Sequence, residues 1–382
     1  MQPRNFYFLA LGAPVLGVLT LLGCGGGKTS TTTPTPTPTP ASTPTPAPTP
    51  TPGPGTPTFT RVLLNIAFGE SGIASGGEGI AVGSARAATA TAGSRQAVIW
   101  SIPGASPTNL HPSSRSSSEL FGSSSTLFAG WTTDSGGLSR ATLWDRGASN
   151  ASKEIAGSFT ESRAYAASGN LIVGQGRPSG ATLHAIVWDH SASDTPTDLN
   201  ASFTSSSAYG LSGARVVGFG AVGGVDHAIV WNTAAGNAVT DLHPTGASSS
   251  TARGISGDIV VGAARGRAGF WNLAAGNAFT ELTPGVAGTA FATNGRFVVG
   301  VRGGGSFTTL TREVATSGAH ATLWDRDNGN NAIDLHTTYL ADQGFDWSAA
   351  LGVDAAGNVY GVGGAVVDDF NANYRAWVLT KN

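Results

Sequence analysis

Val216-Val217-Gly218, His227-Ala228-Ile229-Val230-Trp231, Asp241-Leu242 and Thr251-Ala252-Arg253-Gly254-Ile255-Ser256 follow one another mid-chain, and this order returns on both sides of them. Trp100, Trp144, Trp188, Trp231, Trp271, Trp324 and Trp377 each end a short apolar run, at spacings of 44, 44, 43, 40, 53 and 53 residues. Runs closed by glycine precede them at Gly83, Gly130, Gly174, Gly218, Gly262, Gly300 and Gly361. After the first six tryptophans come Asn109-Leu110, Glu154-Ile155, Asp198-Leu199, Asp241-Leu242, Glu281-Leu282 and Asp334-Leu335. Charged residues make up only 12% of the chain and glycine is abundant, which argues for short strands joined by tight turns. Four strand signals per repeat, made seven times, predict an all-β fold, a seven-bladed β-propeller.

The two ends of the repeat region complement each other. Trp377 is followed by five residues, so the seventh repeat lacks its acidic-aliphatic strand. Val62-Leu63-Leu64-Asn65 precedes the first glycine station with no tryptophan before it, and Leu64 lies 19 residues before Gly83. The same interval separates Ile155 from Gly174 and Leu199 from Gly218. The orphan N-terminal strand therefore matches the missing piece in register, and a ring closed by both termini leaves no open edge. Such a ring is expected to be a monomer.

Each station has an expected role. The tryptophans should bury large faces between blades, with each indole N–H seeking a carbonyl. The Val-Val-Gly runs suit an inner strand covered on both faces. Their glycines are expected to permit a sharp exit turn or the close approach of a neighbouring blade. Trp-Asn-Thr-Ala-Ala-Gly-Asn at 231–237 and its near copy at 271–277 read as a strand entering a hairpin.

Upstream of the repeats, Arg4, the uncharged apolar run from Phe6 to Leu22 and the following small residues form a secretory signal peptide. Leu21-Leu22-Gly23-Cys24 resembles the bacterial lipobox. That resemblance implies cleavage after residue 23, acylation of Cys24 on its sulfur and new amine, and attachment to the lipid bilayer. The residue after Cys24 is glycine, so the resemblance favours the outer membrane or cell surface. With its only cysteine acylated, the mature chain has no thiol for a disulfide, a zinc cluster or a nucleophile. From Thr29 to Pro57 the chain is almost wholly Thr and Pro, a disordered tether that is extended and semi-rigid. The expected organisation is a signal peptide at 1–23, a lipidated linker at 24–58 and the propeller at 59–382.

His184-Ala185-Ile186-Val187-Trp188 with Asp198-Leu199, Ser207-Ala208-Tyr209-Gly210-Leu211-Ser212 and Val216-Val217-Gly218 resembles the HAF family of bacterial extracellular repeat proteins. His227-Ala228-Ile229-Val230-Trp231 repeats the match, and Arg375-Ala376-Trp377-Val378-Leu379-Thr380 resembles the family's closing strand. The resemblance covers residues 59–382. Only His184, His227 and His320 keep the motif's histidine, and its phenylalanine is replaced by Ile or Thr. The resemblance implies an exported propeller-like repeat domain and brings no catalytic residues with it.

Candidate chemistry is sparse. His184, His227 and His320 share one station and His111, His243 and His336 another, which points to strand capping within each blade rather than a shared centre. His190 alone stands outside both. Asp325 and Asp327 resemble the start of a calcium loop in poor register, since Gly329 falls where a third ligand belongs. Calcium is the one cofactor candidate. Gly218 to Gly223 satisfies a dinucleotide glycine pattern, but a strand follows where a helix is required. A net charge of -2 with no basic stripe gives no case for nucleic acid.

Departures from the repeat mark candidate ligand-binding residues. These are Trp131 outside the tryptophan station, Arg302 and Arg312 in the long Gly300–Trp324 interval, and Phe345, Trp347, Asp368 and Asp369 in the seventh repeat. The sequence points to a surface-anchored, non-enzymatic interaction protein of the bacterial envelope, binding polysaccharide or protein. Its alternatives are a carbohydrate lyase or hydrolase working from Asp346, Asp368, Asp369 and His190, and a purely structural envelope protein.

Overall fold

The computed structural model describes residues 55–64, 70–77, 79–86, 94–104, 106–303, 318–368 and 371–382. The leader, Cys24 and nearly all of the tether lie outside them, as do Arg312 and Asp369. The described strands form seven four-stranded antiparallel sheets, the blades of a closed propeller. Blades 1 to 6 run through residues 70–109, 117–154, 161–198, 206–241, 250–281 and 288–334, each as a simple meander from innermost to outermost strand. Blade 7 takes three strands from 347–381, and its outermost strand is Phe59–Leu63.

That strand closes the ring in the expected phase. Phe59 pairs with Lys381 and Leu63 with Trp377. The Leu64 N–H then donates to the Ala376 carbonyl at 3.3 Å, as Leu199 donates to Ala185 and Leu242 to Ala228. The closing strand is thus a fourth strand like any other, supplied from the far end of the chain.

The core lies between neighbouring blades. Val173, Ala185 and Val187 of blade 3, for example, pack with Ala208, Val216, Ile229 and Trp231 of blade 4. All seven station tryptophans sit on third strands, fully buried. Trp144 and Trp271 donate across the blade boundary to the carbonyls of Leu110 and Leu242 at 2.9 and 2.8 Å, and Trp324 donates to the Thr283 hydroxyl. The indole nitrogens of Trp188, Trp231 and Trp377 have no partner among the described residues.

The glycine station has a different role from the one the sequence suggests. The Val-Val-Gly strand is second from the axis, and its glycine lies mid-strand rather than at an exit turn. The innermost strand carries a β-bulge opposite it, between Ala208 and Gly210 in blade 4 and between Ala252 and Gly254 in blade 5. The bulge drives the carbonyl of the inner strand into the glycine's Cα–H. A Cβ on Gly218 would stand 1.9 Å from the Ser207 oxygen, and one on Gly262 2.0 Å from that of Thr251. The close approach comes from within the blade, and only glycine accommodates it.

Candidate functional site

The connections from the outermost strand of one blade to the innermost strand of the next decide what the histidines do. In blade 4, His227 Nδ1 bonds the Asp241 carboxylate at 2.8 Å, while the other Asp241 oxygen accepts the His243 N–H. His243 Nδ1 bonds the Ser250 hydroxyl, which also accepts the Ala228 N–H. The two imidazoles stack with centroids 3.8 Å apart. Blade 6 repeats the arrangement with His320, Asp334, His336 and Ser348, its rings 4.2 Å apart. In blade 3, Asn200 replaces the second histidine and accepts from Ser206 at 2.6 Å. These histidines hold the start of one blade to the end of the previous one. Burial lowers the pKa of His243 and His336, and the facing His227 and His320 lower it further.

The sequence-selected residues that the structure describes do not gather at one site. Trp131 lies mid-strand in blade 2, 5% exposed, stacked on Phe121 at 4.3 Å with the Arg163 guanidinium over its ring. It belongs to an apolar cluster with Phe121 and Tyr165, whereas Trp347 is buried in another with Phe291 and Val301. Phe345 covers Gly363 as Phe159 covers Gly176 and Phe203 covers Gly220, so it belongs to the repeat instead of breaking it. The seventh repeat's extra length is a pair of short helical turns, His336–Leu340 and Ala341–Gln343. Arg302 pairs with Asp334 at 3.2 Å. Asp368 ends the second strand of blade 7.

Both oxygens of Asp325 accept from the Arg296 guanidinium, at 3.0 and 2.9 Å, and Asp327 lies 3.5 Å from the same group. That fixed cation holds the Asp325 carboxyl below its usual range. The Asp325–Asp327 turn thus faces a guanidinium, not a free oxygen cradle. Among the described residues no three histidine, cysteine or acidic side chains converge as metal ligands.

A feature absent from the sequence reading is the mouth of the propeller axis. The turns between first and second strands form one end of the ring. In blades 3, 4 and 5 they are short and alike, with Gly169, Gly213 and Gly257 at φ near +56°. In blades 7 and 2 they depart from that form, and there, with Gly76, Gly77 and Gly79 of blade 1 and Ser168 of blade 3, they line a cavity of about 620 Å³. Its described wall is Gly76, Gly77 and Gly79, the serines at 123–125, Ser168, Ala355, Ala356, Asn358 and Asp354. Asp354 is already satisfied: Oδ1 accepts the Asn358 N–H at 2.8 Å, and Oδ2 accepts Asn358 Nδ2 and the Tyr360 hydroxyl, each at 2.9 Å. The described wall therefore presents main chain, hydroxyls, methyls and the Asn358 amide. Its signal in the sequence is a change of turn form in two repeats, not any residue with chemistry of its own.

No protein-family model matches the sequence, nor does any curated protein. Solved structures do match, at low identity. A puromycin hydrolase is 12% identical over 78% of this chain and 50% of its own, with a TM-score of 0.50. The β-propeller domain of the Trilobed protease from Pyrococcus furiosus is 10% identical over 82% and 93%, with a TM-score of 0.49. TolB from Acinetobacter baumannii is 15% identical over 65% of this chain, with a TM-score of 0.43, and this chain spans 61% of it. At such identities the likeness concerns the fold alone, and the fold is a propeller.

Proposed function

We propose that this chain is a lipid-anchored, non-enzymatic binding protein of the bacterial envelope, whose propeller receives an uncharged, hydroxyl-rich polysaccharide at the axial mouth. The observation that carries the reading is the composition of that mouth. The described wall, mostly glycine, serine and alanine with the Asn358 amide, brings backbone N–H and C=O groups and hydroxyls to the surface, and these match sugar hydroxyls. Its one described carboxylate already accepts three hydrogen bonds, which favours a structural role for it over acid-base work. The His–Asp pairs recur from blade to blade with the same partners, which favours capping in the same way. The anchor rests on Leu21-Leu22-Gly23-Cys24 and on the Thr/Pro run that follows.

Two experiments test it. Metabolic labelling with an alkyne fatty acid should tag the chain and fail with Cys24→Ala. Titration calorimetry of the detergent-purified chain against fractionated neutral envelope glycans should give saturable binding that Ala355→Trp, an exposed mouth position, abolishes. Binding that survives Ala355→Trp would move the ligand away from the mouth. Binding only to proteins would replace the ligand class, and no binding at all would leave a structural envelope protein.

A further inference from the structure

The third-to-fourth-strand hairpins of blades 2 to 6 share one plan. Asp145, Asp189, Asn232, Asn272 and Asp325 cap them, and Asn150, Asn237, Asn277 and Asn330 occupy the same left-handed position five residues on. Blade 3 departs twice. It has His190 where the other hairpins carry Arg146, Thr233, Leu273 and Arg326, and Asp194 where they carry asparagine. Asp194 keeps the positive φ, at 60°, and its side chain is 3% exposed.

The two departures meet. Asp194 Oδ1 bonds His190 Nδ1 at 2.9 Å, and its other oxygen accepts from Lys153 at 2.6 Å. The buried carboxylate thereby takes the Nδ1–H and leaves Nε2 as the ring's free electron pair. Nε2 faces Asp145 Oδ2 of blade 2 at 4.0 Å, while Asp145 Oδ1 is held by the Gly147 N–H at 2.8 Å. His190 and Asp145 are 28% and 36% exposed, open to solvent. Among the described residues, no other blade pair sets a histidine against the preceding cap.

We propose that His190 Nε2 and Asp145 Oδ2 bind a divalent transition-metal ion, with Asp194 orienting the imidazole from behind and water completing the coordination. An imidazole with one carboxylate suits zinc or nickel rather than calcium. Ligand atoms on a tetrahedral zinc stand about 3.3 Å apart, so the carboxylate must close by roughly 0.7 Å. The ion would bridge blades 2 and 3 on the same end of the ring as the axial mouth, since antiparallel order puts both sets of hairpins there. The proposal does not depend on what the mouth binds.

The probe is zinc alone, titrated into the chelator-treated full chain in detergent, with Cys24→Ser removing the thiol. One ion per chain is expected to bind, His190→Ala and Asp145→Asn to lose it, and Asp194→Asn to weaken it at least tenfold. His184→Ala, a capping histidine, should leave it intact. Asp145→Asn keeps the Oδ1 cap, so equal melting of that variant and the parent without zinc shows that the fold survives. Cobalt should give a visible d–d band that vanishes with His190→Ala. No binding by the parent, or unchanged binding by both His190→Ala and Asp145→Asn, would overturn the proposal.

Discussion

Replacing Gly218 by alanine puts a methyl carbon 1.9 Å from the Ser207 carbonyl oxygen and 2.9 Å from the Ala208 Cα. A carbon and a carbonyl oxygen need about 3.3 Å, so the two inner strands of blade 4 must part by roughly 1.4 Å. Parting them weakens the pair of ladder bonds beside the bulge, about 1 kcal/mol each. It also strains the fully buried Val216 and Val217, an overpacking cost of about 1–3 kcal/mol. The total is on the order of 4 kcal/mol. For a ring of about 320 residues the unfolding entropy is near 0.7 kcal/mol/K, so Tm should fall by about 6 °C. Gly213→Ala is the control. Its φ is +57° but nothing lies within 4 Å, so only left-handed strain of about 1–2 kcal/mol, roughly 2 °C, is expected. Calorimetry and guanidinium unfolding of both variants read the difference. Equal shifts, or a Gly218→Ala shift under about 1 °C, would refute the bulge argument.

The stacked histidines predict acid sensitivity. His243 and His336 have folded-state pKa values below the unfolded 6.5, so their stability is complete above pH 6.5 and is lost as pH falls toward the folded values. Tm should drop between pH 7.5 and 5, and a His243→Asn/His336→Asn double variant, copying the asparagine of blade 3, should flatten the profile. A parent Tm that does not change over that range would be inconsistent with the stacked geometry. Asp325→Asn removes one partner of the Arg296 pair and should cost about 1–2 kcal/mol at pH 6, since the arginine is half exposed. Because Asp325 titrates below its usual 3.8, that penalty should shrink as pH falls below that value, and urea melts at pH 6 and 3 measure it. Leu64→Ala and Leu199→Ala vacate the same station in blades 7 and 3 and should each cost about 2–5 kcal/mol. A Leu64→Ala variant as stable as the parent would separate the closing strand from the core.

Seven copies of one pattern made the ring legible in the sequence. The interval from Leu64 to Gly83 located the closing strand because the same interval is sampled in other blades, and Leu64 bonds Ala376 as its counterparts bond theirs. The role of the glycine was hidden, since a bulge on one strand leaves no mark on the spacing of its partner. In the sequence Phe345 reads as a departure because register on tryptophan and glycine leaves Phe159 and Phe203 unaligned with it. The mouth was invisible for a different reason. Its described wall is mostly glycine, serine and alanine, and its shape arises only when blades 7, 1, 2 and 3 are set side by side. The Asp145–His190–Asp194 relay spans two repeats, so His190 could be noticed but its partners could not.

The central claim is that Phe59–Leu63 completes blade 7 as its fourth strand. Hydrogen-exchange mass spectrometry of the full chain in detergent tests it on the Leu64 amide. If the ring is closed this way, that amide exchanges as slowly as those of Leu199 and Leu242, which make the same bond in blades 3 and 4. Exchange within seconds at Leu64, with Leu199 and Leu242 protected, would mean the ring is closed by something else.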